Sequence, residues 1–406
     1  MKAFDFARDL DTLRTQGLLR RRKVAESACA PELTVDGKPV VAFCSNDYLG
    51  LAAHEEISAA LSAAAGAHGV GSGASHLISG HHQLHAKLED RLATFVGAER
   101  ALSFSTGYMA NLAVITALCG RGDAVFSDRL NHASLIDACR LSRAAIHRYA
   151  HRDINDLESQ LANSDVARKV VVTDAVFSMD GDIAPLPELL RLCEEHDAML
   201  VVDDAHGFGV LGENGRGSLS HHRAAFRQGG LDGALASRLV YMATLGKAAG
   251  VAGAFVAGST DMIEWLLQKG RTYIFTTAAP PALAAAALKA IELIERGGDR
   301  RTHLNHLVDR FQTTFRPRRW TLMESVTAVQ PVVIGSNDET VKLADTLMAQ
   351  GIWVPAIRPP TVPDGSARLR ISLSAAHTES QLDRLVDALH AAESGFGQAR
   401  TGTGDR

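Results

Sequence analysis

An apolar run at residues 239–243 reads as a buried strand, breaks at Thr244-Leu245-Gly246, and is followed at once by Lys247. A lysine presented at a strand end can offer its amine for Schiff-base chemistry. Alone, the pattern also fits a solvated lysine in a turn. A second apolar strand, 199–202, ends in Asp203, with His206 three residues on. An amine and a carboxylate at the ends of two strands suit pyridoxal phosphate (PLP), which takes a lysine on its aldehyde and an acid at its ring nitrogen.

Further upstream, ALSFSTGYMAN reads as a strand, a Ser-Thr-Gly turn and a helix. Free N–H groups at such a helix start, around Gly107 and Tyr108, can cradle a phosphate. DAVFSDRLNHASLIDA places His132 between the next strand and helix. An imidazole there can stack on a planar ring or cap its own helix, and the local sequence leaves both open. The stretch from 169 to 209 runs strand, loop, helix, strand. That βαβ order implies parallel strands with ligands near their carboxyl ends, where Ser178, Asp203, His206 and Lys247 all fall.

These positions need elements to hold them. Residues 3–24 are expected to form a charged amphipathic helix, and 54–67 an alanine-rich one. The Gly- and Ser-rich run 69–80 is a loop whose backbone can approach a ligand, and a helix with Leu84, Leu88 and Leu92 on one face follows it. His81 and His85 stand one turn apart, but no third ligand is evident beside them. They are read as helix surface, and no metal is expected. The Thr276-Thr277 pair precedes a Pro-Pro break and a long helix. Beyond it, helices near 303–315 and 338–350, strands near 327–335 and 367–373 and a helix from 378 form a smaller α/β unit. The expected division is an N-terminal segment 1–45, a large domain 46–285, a small domain 286–394 and a disordered tail 395–406.

The bulk properties exclude several classes. The 406 residues are enough for two domains, and 46% are hydrophobic, ample for large cores. With 42 basic against 46 acidic side chains, a net charge of −4 makes no electrostatic case for nucleic acid or an anionic membrane. No apolar run approaches membrane-spanning length and no export signal is read, so a cytoplasmic setting is expected. The five cysteines are scattered without CxxC spacing, which argues against zinc or a disulfide framework.

Taken together, the motifs SNDYLGL (45–51), STGYMAN (105–111), LNHASLIDA (130–138), FSMDGDIAPL (177–186), VDDAHGFGVLGENGRG (202–217), TLGKAAG (244–250), FTTAAPP (275–281) and RPPTVPDGSARLRISLSAAH (358–377) resemble, in order and over nearly the whole chain, the α-oxoamine synthase family of fold-type I PLP enzymes. The resemblance implies an α/β fold with a large PLP-binding domain, its mostly parallel sheet flanked by helices, and a smaller C-terminal α/β domain. It implies Lys247 as the cofactor's lysine, Asp203 at the pyridine nitrogen, His132 on the ring, and Ser178 and His206 beside the ring oxygen. Gly107, Tyr108 and Thr244 would hold the phosphate. Thr276 or Thr277 would reach it from a partner subunit, which implies a homodimer with shared sites.

Arg370 would bind an amino-acid carboxylate, and Arg20, Asn46 and Thr361 an acyl substrate. His76, where sibling enzymes usually carry Arg, and the PPTVP loop point to the branch that joins L-alanine to a pimeloyl thioester of coenzyme A or an acyl carrier protein. The sibling alternative takes glycine with acetyl-CoA. An aminotransferase would not be expected to share TVPDGSARLR, and a catalytically dead partner subunit would lack Lys247.

Overall fold

The computed structural model describes residues 4–230 and 237–401, with side chains to residue 395. The chain opens on helix α1 (Phe6–Thr15), whose first turn is closed by the Arg8 amide donating to the Asp5 carboxylate. The helix expected over 3–24 stops early. Gly17 takes a φ of +66°, and the Leu18 and Leu19 amides both turn back to the Leu13 carbonyl, which satisfies the helix end and leaves Arg20 outside it. A hairpin follows, β1 (Glu32–Val35) with β2 (Lys38–Ala42).

Two compact units share the chain. The large unit comprises residues 46–178 and 182–302. Its sheet holds β3 (Arg100–Phe104), β4 (Ala124–Asp128), β5 (Ala145–Tyr149), β6 (Lys169–Asp174), β7 (Ala198–Asp203), β8 (Leu239–Thr244) and β9 (Ala254–Gly258), in the order β3-β9-β8-β7-β6-β4-β5. Only β9 runs antiparallel to its neighbours, so the other six strands end on one edge. The middle strands read as unbroken apolar runs because helices cover both faces of a parallel sheet. Leu102, Val172, Val201 and Val240 meet Val114 and Leu135 from two of those helices in one buried cluster. The helices that bear on the site are α2 (Glu55–His68), α3 (Gln83–Val96), α4 (Gly107–Leu118) and α5 (Ala133–Ser142).

The small unit takes the residues up to 45, the three residues Met179–Gly181, and the chain from His303. β10 (Thr321–Leu322), β11 (Val329–Gly335), β12 (Ile352–Trp353), β13 (Ala356–Ile357) and β14 (Ala367–Ser372) supply its strands. Four of them form an antiparallel sheet in the order β10-β11-β14-β13, and β12 extends the β1-β2 hairpin. Met179–Gly181 belong here because Arg368 donates to Asp180 at 2.7 Å and the Ser325 and Thr327 hydroxyls donate to the Gly181 carbonyl.

The division differs from the expected one in three ways. The boundary falls after residue 302, not 285: Ala284, Ala287, Ile291 and Ile294 of the helix Pro281–Arg296 are buried against α2 and α3 of the large unit. Residues 1–45 join the small unit, and the last helix runs Glu379–Thr401, into the segment read as tail. The remainder of that segment, 402–406, lies outside the described residues. No helix among the described residues is long and apolar enough to cross a membrane.

Candidate active site

Register brings the polar strand ends together. Asp174 closes β6 and Asp203 closes β7, paired directly across the parallel ladder, and Thr244 closes the adjacent β8. Two peptide units past Thr244 the chain turns through Gly246 to Lys247. The Gly246 amide donates to the Thr244 hydroxyl at 3.2 Å, and that hydroxyl donates to the Gly253 carbonyl at 3.1 Å. Thr244 thus ties both ends of the turn that carries the lysine.

Lys247 points into a chain of polar groups. Its Nζ lies 2.8 Å from His206 Nε2, His206 Nδ1 lies 2.6 Å from the Tyr48 hydroxyl, and that hydroxyl lies 3.2 Å from Asn46 Oδ1. A lysine amine donating to Nε2 requires the His206 proton on Nδ1, so the ring donates to Tyr48, which donates to Asn46. Asn46, His206 and Lys247 are therefore one connected group, joined by a tyrosine that the sequence reading did not single out.

A second network surrounds Asp203, which is 4% exposed. Asn111 Nδ2 donates to Asp203 Oδ2 at 2.7 Å and to Ser134 Oγ at 2.8 Å, and the Ala205 amide donates to Asp203 Oδ1. Ser134, having accepted from Asn111, donates its hydroxyl proton to His132 Nδ1 at 2.8 Å. His132 Nε2 then carries the ring proton. The imidazole caps α5 through the Ser134 amide, and its own backbone N–H donates to Asp174 at 2.6 Å. Of the two readings the sequence left open, the structure shows the cap. Burial pulls the His132 pKa down, Asp203 raises it and Lys247 lowers it further, for a net fall. Burial first and then Asp203 push Asp174 well above the ordinary carboxylate range.

Asn111 is the member a closer reading could have found. It lies four residues after Gly107 in STGYMAN, one helical turn along α4, so it shares a face with the glycine whose amide was singled out. Thr106 caps α4 by accepting from the Met109 amide, and the helix start follows directly on the end of β3. Tyr108 is half-exposed and donates to Asp137. Ser178 is partly buried, four residues past the end of β6. Thr276 is partly buried and Thr277 exposed, just after the turn Arg271–Ile274.

Three expected residues lie in the small unit. Arg20 and Thr361 line one open cleft of about 700 Å³ with Leu13, Leu19 and Pro360, and Arg358 donates to the Gly17 carbonyl beside it. Arg370 is buried in β14 and donates to Ser372 at 2.8 Å. Arg368, on the same face, is spent on Asp180. His76 stands apart from the strand-edge networks, stacked on Tyr273 at 4.7 Å in the large unit.

The class I and II aminotransferase family model matches residues 38–389. The chain belongs to this family. Within it, the 8-amino-7-oxononanoate synthase of Azoarcus sp. (strain BH72) is 58% identical over 386 residues, covering 95% of this chain and 96% of that one. A solved 8-amino-7-oxononanoate synthase from Francisella tularensis is 30% identical with a TM-score of 0.74, over 89% and 99% of the two chains. A serine palmitoyltransferase from S. paucimobilis, solved with a PLP–myriocin adduct, is 30% identical with a TM-score of 0.89, over 97% of each. The likeness to α-oxoamine synthases seen in the motifs therefore holds at the level of the whole chain. As a family member the protein should take PLP, and its donor set fits that group. An amine and a buried carboxylate face one edge, imidazoles stand beside both, and the helix start at Gly107, capped by Thr106, adjoins them.

Proposed function

We propose that the protein condenses L-alanine with a pimeloyl thioester, with loss of CO2, to give 8-amino-7-oxononanoate and the free thiol of coenzyme A or an acyl carrier protein, in biotin biosynthesis. The observation that carries this reading is the 58% identity over 386 residues to a protein of that activity. The sibling reaction, glycine with acetyl-CoA, is not favoured.

PLP, when bound, supplies an electron-withdrawing ring that makes the Cα–H bond of an attached amino acid acidic. The residues of this chain do the rest. Lys247 would hold the cofactor aldehyde, and its amine would accept the proton from alanine Cα and later return one. His206 keeps that amine oriented through Nε2. Asp203, held as an acceptor by Asn111 and the Ala205 amide, would keep a proton on the ring nitrogen. His132 would stack on the ring face, and its Nε2 proton would polarise the thioester carbonyl.

Ser178 would take the ring oxygen, with His206 beside it. The Gly107 and Tyr108 amides and the Thr244 hydroxyl would hold the phosphate, and Thr276 or Thr277 would reach the phosphate of a second copy. Arg370 takes the alanine carboxylate, since a guanidinium can bind it through two parallel hydrogen bonds. Arg20, Asn46 and Thr361 would contact the acyl substrate.

A homodimer is part of the reading. Val70, Ile78 and Phe275 expose 81%, 79% and 70% of their surface, unusual for large apolar side chains in a unit with so complete a core. A cytoplasmic setting follows from the substrates. The test is to offer the purified protein a panel of amino acids and acyl thioesters and to identify products by mass spectrometry. Alanine with pimeloyl thioester should give the highest kcat/KM. A higher value for glycine with acetyl- or succinyl-CoA would replace this reading with the sibling one.

A further inference from the structure

Three imidazoles outside the strand-edge networks meet at the start of α3. His76 opens a π-helical turn, His76–Gly80, His81 follows it directly, and His85 lies on the first turn of α3. The turn is tight enough to fold His81 back onto His76. A Cβ at Gly80 would lie 2.0 Å from the Ala74 carbonyl oxygen, so only glycine closes it. The Nδ1 atoms of His76 and His81 end 2.9 Å apart, and one ring nitrogen from each of the three residues lies within 4.8 Å of the others. Helix spacing alone suggested a surface pair, but His85 is 2% exposed and His76 8%, and His81 alone is open to solvent.

The rings are held for this arrangement. His85 Nε2 donates to the Ala279 carbonyl at 2.8 Å, which leaves its Nδ1 with a lone pair; the His82 amide donates to that lone pair at 3.0 Å. An N–H to a backbone carbonyl on the far side of the ring is the usual support for a metal-ligating histidine. His76 is fixed by stacking on Tyr273, with ring planes 11° apart. The facing nitrogens of His76 and His81 can share a single proton.

We propose that His76, His81 and His85 bind one divalent late first-row transition ion, of the class of Zn²⁺ or Co²⁺, with a fourth position open to water on the His81 side. Imidazole nitrogens suit these ions, at about 2.0–2.1 Å from the metal. Two nitrogens on one tetrahedral ion lie roughly 3.3 Å apart by that bond length, so His76 and His81 need only separate slightly. His85 exchanges the His82 amide for the ion. The ion would cross-link the Gly- and Ser-rich loop to α3. This inference does not rest on the proposed reaction.

The experiment is a titration of the PLP-loaded protein with CoCl₂, followed by visible absorption and by metal content after gel filtration. One Co²⁺ per chain with a tetrahedral-type spectrum is expected, together with a higher Tm, since an ion bound by the folded state alone stabilises it. His81→Ala, a change at an exposed side chain, should abolish the spectrum and the Tm rise, and His85→Ala should do the same. Failure of the wild type to retain Co²⁺ or Zn²⁺ would overturn the proposal. So would a spectrum and stoichiometry untouched by His81→Ala, which would place the ion elsewhere. The product panel above is read separately, so the two can fail independently.

Discussion

The strand edge and the histidine cluster, both in the large unit, bury polar groups by opposite means. At the strand edge, unlike groups are set against each other: an amine beside an imidazole, a carboxylate beside an amide, a hydroxyl between an amide and an imidazole. An exception is the carboxylate pair Asp174 and Asp203, where burial and then the neighbouring charge raise the Asp174 pKa. The histidine cluster sets like against like. Burial, then His85 and His81, push His76 down to about 4. A buried group with only its own kind for company gives up its charge, whereas a complementary set can keep several. The contrast teaches that the strand edge is built to move protons, and the cluster to present neutral nitrogens.

Variants can break the contrast in order of expected effect. Lys247→Ala removes the one amine at the strand edge. Turnover should fall by roughly 10⁴-fold or more, with loss of the borohydride-reducible PLP adduct and an unchanged circular dichroism spectrum. Persistence of that adduct would assign the role to another lysine. Asp203→Asn keeps the shape and removes the charge. A loss of roughly 10²-fold in kcat is expected with the fold retained, and near-wild-type turnover would remove Asp203 from the proton at the ring nitrogen.

Asn111→Ala acts at one remove, by freeing Asp203 and Ser134 together. It should lower kcat roughly tenfold while KM for alanine changes little, and Asn111→Ser, with a donor still present, should recover part of the loss. An effect confined to Tm would mean that Asn111 only packs.

The smallest effect comes from a histidine outside both regions, His151, which sharpens the comparison through stability. His151 Nδ1 lies 3.0 Å from Asp128 and its Nε2 lies 2.8 Å from Asp182, which also accepts from Arg152. Burial opposes protonation, but the two carboxylates outweigh it and raise the pKa to about 9. A pKa higher in the folded state than in the unfolded one stabilises fully below about 6.5, and that stabilisation is lost as pH rises through 9. His151→Gln should therefore lower stability by about 1–2 kcal/mol at pH 6, after allowance for solvent screening, and by much less at pH 9.5. A Tm difference that does not shrink with pH would show that His151 contributes by packing and not by charge.

Much of the strand edge was legible before any coordinates. Residues 239–243 and 199–202 announced buried strands, and a turn after each told where Lys247 and Asp203 would emerge. Those signals are local: apolar runs, glycines and turn residues report on the few residues around them. The helix start at Gly107 and the parallel order of the strands followed in the same way. Where the local signal was ambiguous, the reading failed. The charged pattern of 3–24 is helical in character, yet Gly17 ends the helix. The alanine-rich helix Pro281–Arg296 carries no mark of which unit its apolar face will join.

By itself, then, the sequence determined which strands form, where each ends and which chemical groups stand at those ends. Tertiary structure decided which groups meet. Tyr48 and His206 are 158 residues apart, and Asn111 and Asp203 are 92 apart. Nothing in either local stretch specifies the other: Asn111 and Asp203 meet because the sheet sets β3 and β7 with two strands between them, and Tyr48 reaches His206 from a loop that precedes the sheet. The same holds for the histidines. Spacing revealed His81 and His85 as one turn apart, but the third ring arrives through a π turn that Gly80 alone permits, and no helical period predicts it.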